Sequence, residues 1–190
     1  TYKIHSFKGI GKIPKKVNKL SQVKTQKLLN DLPMYLKGIG RTLESMPGKK
    51  AIFVILDSDD ADCAELKKDL VEMYEKSGVT VDVYFCIAIE EMEAWLLGDE
   101  KAIEEAYPQA KMPLLRKYVQ DSIVGTWEYL ADVVYSGGVN ALKKKAESYY
   151  EIGLFKCECA GNIGMYLNIH ENKSPSFNYF INKLNDFCEV

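Results

Sequence analysis

Residues 51–60 read AIFVILDSDD, and this stretch decides the fold. Its first six residues are apolar and rich in β-branched side chains, which favours a strand covered on both faces, as in a parallel sheet. Ala61–Lys76 then carries apolar residues at helical spacing, and Val79–Ile89 reads as a second strand. Two strands joined by a helix form a βαβ unit, so we expect the two strands to be parallel.

The rest of the chain is predicted to be mainly helical. Tyr2–Phe7 alternates like a short strand, and Gln22–Met46 is either two helices or one helix kinked at Pro33. The later predicted helices are Glu90–Leu97, Glu100–Tyr107, Leu114–Val119, Gly125–Tyr135, Val139–Tyr150, Gly161–Leu167 and, after the Ser174-Pro175 start signal, Ser176–Phe187. We therefore predict an α/β core at residues 1–98, followed by a helical extension at residues 99–190 packed on it.

Composition and charge narrow the function classes. The chain has 190 residues and is 47% hydrophobic, which is too apolar for a disordered protein. No apolar run approaches the roughly 20 residues needed to cross a membrane, and the five scattered cysteines predict a reducing, cytoplasmic setting. Residues 1–50 hold 12 Lys and Arg against two acids, so +10, and residues 51–190 carry −12. This asymmetry has two interpretations. The basic residues 1–50 bind a polyanionic substrate, or they and the acidic residues 51–190 neutralise each other.

The acidic cluster after the first strand predicts a divalent-metal site. Asp57 leaves the carboxyl end of the strand, where open parallel sheets bind their ligands, and Asp59 lies two residues further on. Two carboxylates with room for waters and phosphate oxygens are a Mg²⁺ site. The alternative is that the acids stabilise the start of the next helix, which is the favoured interpretation for Asp60 and for Asp62 with its capping-box partner Glu65.

The second strand also runs into acids. Glu90, Glu91 and Glu93 follow Val79–Ile89, and parallel strands would bring them beside Asp57. Glu91 and Glu93 are therefore candidates to assist at the same site, although acids in the first turn of a helix are ordinary.

Basic and thiol groups supply weaker candidates. Lys8, Lys12, Lys15 and Lys16 surround a glycine-containing loop and are candidates for nucleic-acid binding, unless they form a solvated face. Cys157-x-Cys159 with His170 and Cys188 suggests zinc, but the spacing lacks the second ligand pair of known zinc modules.

Four segments carry a resemblance to a known family. FKGIGKIPK (7–15), VILDSDDADCAELKKDL (54–70), IAIEEMEAWLLGD (87–99) and NKSPSF (172–177) resemble an uncharacterised prokaryotic family with a Toprim-like core, often encoded beside an AAA-type ATPase. Toprim is the metal-dependent catalytic domain of topoisomerases, primases and OLD nucleases. The resemblance implies a Toprim-like parallel sheet with flanking helices and a role in anti-phage defence.

The resemblance also implies site residues. Asp57 and Asp59 would match the Toprim D-x-D metal ligands, while the Glu that Toprim domains use on an earlier strand has no match, since no Glu precedes Glu44. We expect that residue in a strand and helix before Thr1, or its replacement by Glu91 and Glu93.

Three hypotheses follow for function. The first is Mg²⁺- or Mn²⁺-dependent phosphodiester hydrolysis, most simply of DNA, with an ATPase partner and no membrane. The second is a non-catalytic adaptor that docks onto an AAA-type ATPase through exposed aromatics such as Tyr149, Tyr150 and Phe155. The third is a phosphatase-like hydrolase with an Asp nucleophile at the same strand end.

Overall fold

The βαβ unit predicted around AIFVIL is present in the structure, a computed structural model that describes residues 1–13, 26–122 and 125–189. Strand β1 (Ala51–Asp57) pairs with strand β2 (Asp82–Ala88) in a small parallel sheet, and helix α2 (Cys63–Ser77) connects them. The mixed α/β class is therefore confirmed.

The chain divides into two compact units. The first unit consists of Thr1–Leu56 and Ala61–Cys86, and the second consists of Asp57–Asp60 and Ile87–Val190. Compactness does not test whether either part folds alone, so the domain boundary after residue 98 stays a prediction.

In the first unit, helix α1 (Leu28–Glu44) is one helix that contains Pro33. The predicted start at Gln22 lies outside the described residues, and the first turn of α1 meets the backbone of Gly9 and Ile10. The carbonyls of Gly9 and Ile10 accept from the N–H groups of Leu28 and Leu29, at 2.9 and 2.7 Å. These carbonyls satisfy donors that the start of a helix leaves unpaired.

The strand predicted at Tyr2–Phe7 is wrong. Within residues 1–13 the chain forms no strand, and Tyr2 is 87% exposed. His5 and Phe7 instead lie edge-on against the ring of Tyr35 on α1, with centroids at 5.9 and 5.0 Å. The alternating side chains of this segment therefore contact a helix, and the segment does not pair with a strand.

Strand β1 is covered less completely than its composition predicted. Val54 and Leu56 are buried, but Ile55 on the opposite side is 40% exposed. The sheet has only two strands in the described part of the chain, which leaves this face partly open. The expectation of cover on both faces is therefore wrong at Ile55.

Asp62 caps the start of helix α2, as its sequence signal predicted. The carboxylate of Asp62 accepts from the N–H groups of Ala64 and Glu65, at 2.8 and 3.0 Å. The helix stops at Gly78, which has a left-handed φ of 69°. Asp62 is thus the cap, whereas Asp60 is exposed and does not cap α2.

The second unit consists mainly of helices around an apolar core. Fully buried residues include Leu97, Ile103, Leu130 and Ile163. The helices are α3 (Glu93–Leu97), α4 (Glu100–Ala106), α5 (Met112–Leu115), α6 (Thr126–Val134), α7 (Gly138–Lys145), α8 (Tyr149–Gly164) and α9 (Pro175–Cys188). Among the described helices, none is long and apolar enough to cross a membrane.

Helix α8 differs most from expectation. The sequence predicted a helix ending at Tyr150 and another beginning at Gly161, but α8 runs unbroken between them. Its apolar residues occur on more than one side, so a search for a single apolar face misses it. Phe155, predicted to be exposed, is partly buried against Tyr135, with ring centroids 5.8 Å apart.

The predicted start of α9 is confirmed, and it lies beside the buried Trp95. Ser174 is fully buried, and its hydroxyl accepts from the N–H of Phe177 at 3.2 Å and donates to Asp121 at 3.1 Å. Trp95 is 5% exposed, packs against Phe177 and donates its indole N–H to Ser176 at 2.9 Å.

We expect Ser174→Ala to lower the free energy of unfolding by about 2 kcal/mol, because it removes a buried cap and leaves polar groups unpaired. Urea denaturation measures this change. Ser148→Ala is the matched control, since Ser148 stands at the N-cap of α8 without a side-chain cap hydrogen bond. Its effect should stay within about 0.5 kcal/mol, and equal losses in the two variants would contradict the assignment.

Candidate active site

Hydrogen bonds join the segments that follow β1 and β2. The N–H of Ser58 donates to the carbonyl of Ala88 at 2.9 Å, and the N–H of Glu90 donates to the hydroxyl of Ser58 at 2.7 Å. The N–H of Asp59 donates to the carbonyl of Glu90 at 3.0 Å. Ser58 is 3% exposed, so a buried hydroxyl fixes the acids after one strand against those after the other.

The backbone is strained at two acidic residues in these segments. Asp59 has a φ of 47° and Glu90 a φ of 65°, both in the left-handed region that side chains with a Cβ rarely adopt. Each such residue costs on the order of 1–3 kcal/mol and persists only where its surroundings hold it. Strain of this kind clusters at functional sites, which marks this corner of the second unit as a candidate.

Glu90 has a structural partner of its own. Its carboxylate accepts from the N–H of Gly125 and, at 3.0 Å, from the N–H of Thr126 at the start of α6. A carboxylate at this end of a helix satisfies unpaired donors and complements the helix dipole. Glu90 therefore holds α6 in place.

Glu91 and Glu93 converge on a lysine. The Nζ of Lys156 on α8 lies 3.0 Å from an oxygen of Glu91 and 3.3 Å from an oxygen of Glu93. The three side chains are 23%, 18% and 8% exposed, so these ion pairs are largely buried. Glu91 also accepts from the hydroxyl of Thr126 and the N–H of Trp127, each at 3.3 Å.

Sequence reasoning missed Lys156. A signal did exist, because Lys156 is the only basic residue of α8 and lies one turn from the fully buried Cys159 and two from Ile163. A single charged residue on the buried side of an apolar helix requires a partner.

Asp57 is the most perturbed carboxyl of the cluster. Burial, followed by the charge of Glu93, raises the pKa of Asp57 to about 7, and smaller effects of Asp59 and Glu91 add to this against the opposing charge of Lys156. One oxygen, Oδ1, is buried and has no hydrogen-bond partner among the described residues.

The pKa values of Asp59 and Glu93 are raised as well. Burial and the charge of Glu91 raise the pKa of Asp59. Burial also raises the pKa of Glu93 although Lys156 opposes it. Burial lowers the pKa of Lys156, but the combined charges of Glu93 and Glu91 outweigh it and leave the pKa raised. The structure thus brings together all four acids predicted for the site: Asp57, Asp59, Glu91 and Glu93.

The donor chemistry of this cluster fits a hard divalent cation. Carboxylate oxygens are the ligands that Mg²⁺ takes in proteins, and the unpartnered Oδ1 of Asp57 has a free lone pair to offer. As the side chains stand in the described residues, no three acidic, histidine or cysteine groups are arranged to hold a metal ion. Binding would therefore require these side chains to adjust, with the ammonium of Lys156 as the competing cation.

The predicted lysines lie elsewhere in the chain. Lys8 and Lys12 are exposed residues of the first unit, and the N–H of Lys8 donates to the carbonyl of Gln26 at 2.8 Å. Lys15 and Lys16 lie outside the described residues. Nucleic-acid binding by these four residues stays a prediction.

Among the described residues, Cys157, Cys159, His170 and Cys188 are not arranged to hold a metal ion. Cys157 and Cys188 are exposed, whereas Cys159 is buried and accepts from the hydroxyl of Tyr107 at 3.5 Å. Burial raises the pKa of Cys159 to about 11.

These features define an α/β protein with a cluster of carboxylates around a buried lysine at the ends of two parallel strands. The chain belongs to the DUF4276 family, described as a domain of unknown function, whose model matches residues 2–185. Neither the comparison with curated proteins nor the comparison with solved structures gave a match. The family description states no activity, so a proposal for function depends on the site.

The pH dependence of stability tests the burial of Asp57. In the unfolded chain this carboxyl loses its proton near its usual pKa of 3.8, whereas in the folded protein it keeps the proton up to about pH 7. The contribution of Asp57 to the free energy of unfolding should therefore fall between about pH 4 and about pH 7 and stay constant above that. In metal-free buffer, we expect Asp57→Asn to be about 2 kcal/mol more stable than the parent at pH 7.5 and equal to it at pH 4.

Urea denaturation at several pH values measures both predictions for Asp57. The exposed Asp69→Asn on α2 is the control for the loss of one carboxylate. Equal stability of parent and Asp57→Asn at pH 7.5 would contradict the perturbed pKa.

Removing the lysine should also be costly. We expect Lys156→Met to lower the free energy of unfolding by about 2 kcal/mol at pH 7, because Glu91 and Glu93 are left buried without a cation. This loss of stability should be smaller at pH 5, because a carboxyl that takes up a proton no longer needs a cation beside it. Lys101→Met, which breaks an exposed pair with Glu171, is the control and should change stability little. Equal effects of the two variants would contradict a buried role.

Proposed function

We propose that the protein is a Mg²⁺- or Mn²⁺-dependent phosphodiesterase that acts on DNA. In this proposal Asp57 and Asp59 hold the metal, and Glu91 and Glu93 assist. The observation that carries the proposal is the buried, unpartnered oxygen of Asp57 among carboxylates from two neighbouring strand ends.

The electrostatics of the cluster support this proposal. Burial, and then the repulsion among carboxylates that share the ammonium group of Lys156, raises the pKa values of Asp57 and Asp59 and costs stability at neutral pH. Apolar packing gives no reason to keep such a cluster. A cation bound there would relieve the repulsion, and perturbed carboxyls in one place are typical of functional sites.

The residues of the cluster have distinct roles in this proposal. When bound, a divalent metal would activate water and neutralise charge on a phosphodiester. Asp57 must lose its proton to serve as a ligand, so metal binding should strengthen as the pH rises through about 7. Glu93 holds a proton more readily than an exposed Glu, which suits an acid or base. Glu91 fixes Lys156 and the start of α6.

The wider setting belongs to the same proposal. A βαβ unit whose first strand runs into D-x-D is what a Toprim-like core would contain, and the +10 charge of residues 1–50 supports a polyanionic substrate. The resemblance adds an AAA-type ATPase partner and a role in anti-phage defence, and the five scattered cysteines favour a cytoplasmic location.

Metal binding and nicking test the proposal together. Isothermal calorimetry with Mg²⁺ should give binding, and supercoiled plasmid with Mn²⁺ should be nicked. Asp57→Asn should lose both, with the nicking rate reduced by roughly 100-fold or more. Asp69→Asn, which removes one exposed carboxylate from α2, should behave as the parent. If Asp57→Asn nicked as well as the parent, the assignment would be wrong.

A second outcome distinguishes the phosphatase-like alternative. Release of inorganic phosphate from small phosphoesters, without nicking of plasmid, would favour an Asp nucleophile over a nuclease. The same variants serve both assays.

The adaptor hypothesis retains one supporting observation. Tyr149 and Tyr150 at the start of α8 are 75% and 73% exposed, as a docking surface requires. Phe155 does not contribute, because it packs into the core of the second unit. Co-purification with an ATPase, together with no heat of metal binding, would favour this hypothesis over the nuclease.

A further inference from the structure

We propose that the ammonium group of Lys156 occupies the second cation position of the carboxylate cluster, so that the site binds one divalent metal ion and not two. This inference rests on the proposed function, in which Asp57 and Asp59 hold the metal. It comes from a difference between the two pairs of carboxylates. The pair after β1 forms no ion pair within the described part of the chain, whereas the pair after β2 contacts an ammonium group.

The pair after β1, Asp57 and Asp59, can take a hydrated metal ion. Neither carboxylate forms an ion pair with a basic side chain among the described residues, and Oδ1 of Asp57 is buried there without a hydrogen-bond partner. Asp59 is exposed, so water and a phosphate group can reach the pair. Because Mg²⁺ usually keeps several waters and takes only one or two carboxylates, this pair is sufficient for one ion.

The pair after β2, Glu91 and Glu93, already binds a cation. The Nζ of Lys156 lies 3.0 Å from Oε1 of Glu91 and 3.3 Å from Oε1 of Glu93. Mg²⁺ requires its oxygen ligands at about 2.0–2.1 Å, so an ion at the position of Nζ would need both carboxylates to move inward by about 1 Å. The pair as it stands therefore fits an ammonium group better than Mg²⁺.

Other contacts oppose such a movement while Lys156 is present. The second oxygen of Glu91 accepts from the hydroxyl of Thr126 and from the N–H of Trp127, each at 3.3 Å. The side chain of Glu93 is only 8% exposed, so packed neighbours limit its movement. Both carboxylates are thus held where the ammonium group contacts them.

Helix α8 fixes the ammonium group from the other side. Cys159 and Ile163 lie three and seven residues after Lys156, which puts them on the same side of the helix, and both are fully buried in the core of the second unit. Release of the ammonium group to water would leave Glu91 and Glu93 without this counter-ion. We therefore expect Lys156 to stay in place when a metal ion binds at Asp57.

The charge of the cluster agrees with one divalent ion. The four carboxylates carry −4 when ionised and Lys156 carries +1, so the cluster has a charge of −3, which one divalent ion changes to −1. A second ion would make the charge +1 and would repel the ammonium group. In two-metal sites the ions lie about 3.5–4 Å apart and act on the attacking and the leaving oxygen. Here the ammonium group supplies the second positive charge.

Counting bound Mn²⁺ ions by calorimetry and electron paramagnetic resonance tests the proposal. We expect one ion per chain in the parent and none in Asp57→Asn. Lys156→Ala should bind two ions, because Glu91 and Glu93 then lack a cation and the shorter side chain leaves space for one. Two ions at about 3.5–4 Å couple magnetically, so the resolved hyperfine lines of an isolated ion should be lost.

Two control variants separate the position of the charge from its loss. Lys156→Arg keeps a positive charge beside Glu91 and Glu93 and should bind one ion. Lys101→Ala breaks an exposed ion pair with Glu171 and should also bind one ion, as the parent does.

Labelling of lysines in the parent tests whether the ammonium group stays in place, and it needs no substitution. Mass spectrometry after acetylation, with and without saturating Mn²⁺, measures the reactivity of Lys156, with the 76% exposed Lys101 as the reference. We expect Mn²⁺ to change the reactivity of Lys156 by less than about 2-fold, whereas release from its ion pairs would raise it by roughly 10-fold or more. If circular dichroism shows Lys156→Ala to be unfolded, this labelling and the ion count of the parent decide.

The outcomes distinguish the role of the lysine from the metal site itself. Two ions in the parent, a single ion in a folded Lys156→Ala, or release of Lys156 by Mn²⁺ would overturn the proposed role and leave the metal site standing. A parent that binds no Mn²⁺ beside a Lys156→Ala that binds one would make the ammonium group a competitor for the only metal position, which also overturns it. If neither protein bound Mn²⁺, the metal site and the role of Lys156 would both be wrong.

Discussion

The ammonium group of Lys156 is the interaction on which the rest of the site depends. It pairs with Glu91 and Glu93, and its charge opposes the burial and the carboxylate repulsion that raise the pKa of Asp57. Because these groups are largely buried, removing the charge of Lys156 would leave Glu91 and Glu93 with little water and without this counter-ion. The helix that carries Lys156 is therefore tied to the acidic segments by charge as well as by apolar packing.

Backbone hydrogen bonds place those acids where the lysine can reach them. The buried hydroxyl of Ser58 accepts from the N–H of Glu90. Asp59 and Glu90 have left-handed backbone conformations, which end the extended course of the two strands. Glu90 then caps α6, which leaves Glu91 and Glu93 to meet Lys156. The segment after β2, the start of α6 and the side chain of Lys156 therefore stabilise one another.

Strong local signals in the sequence predicted much of this structure. The apolar β-branched run, the left-handed Gly78 and the Ser174-Pro175 start fix their elements because each depends on neighbouring residues only. The predicted strand at Tyr2–Phe7 failed because alternation does not identify the partner, which is Tyr35 on a helix. Helix α8 was divided in the prediction because its apolar residues are not confined to one side.

By itself the sequence determined the βαβ unit, the caps of α2 and α9, and the presence of acids at two strand ends. The tertiary structure decided which acids share a cation, because Lys156 is 65 residues away from Glu91 along the chain. It also decided that Asp57 titrates near neutral pH, since burial depends on the neighbours that folding assembles. Local propensity acts between adjacent residues, whereas burial and charge pairing depend on distances that only the fold sets.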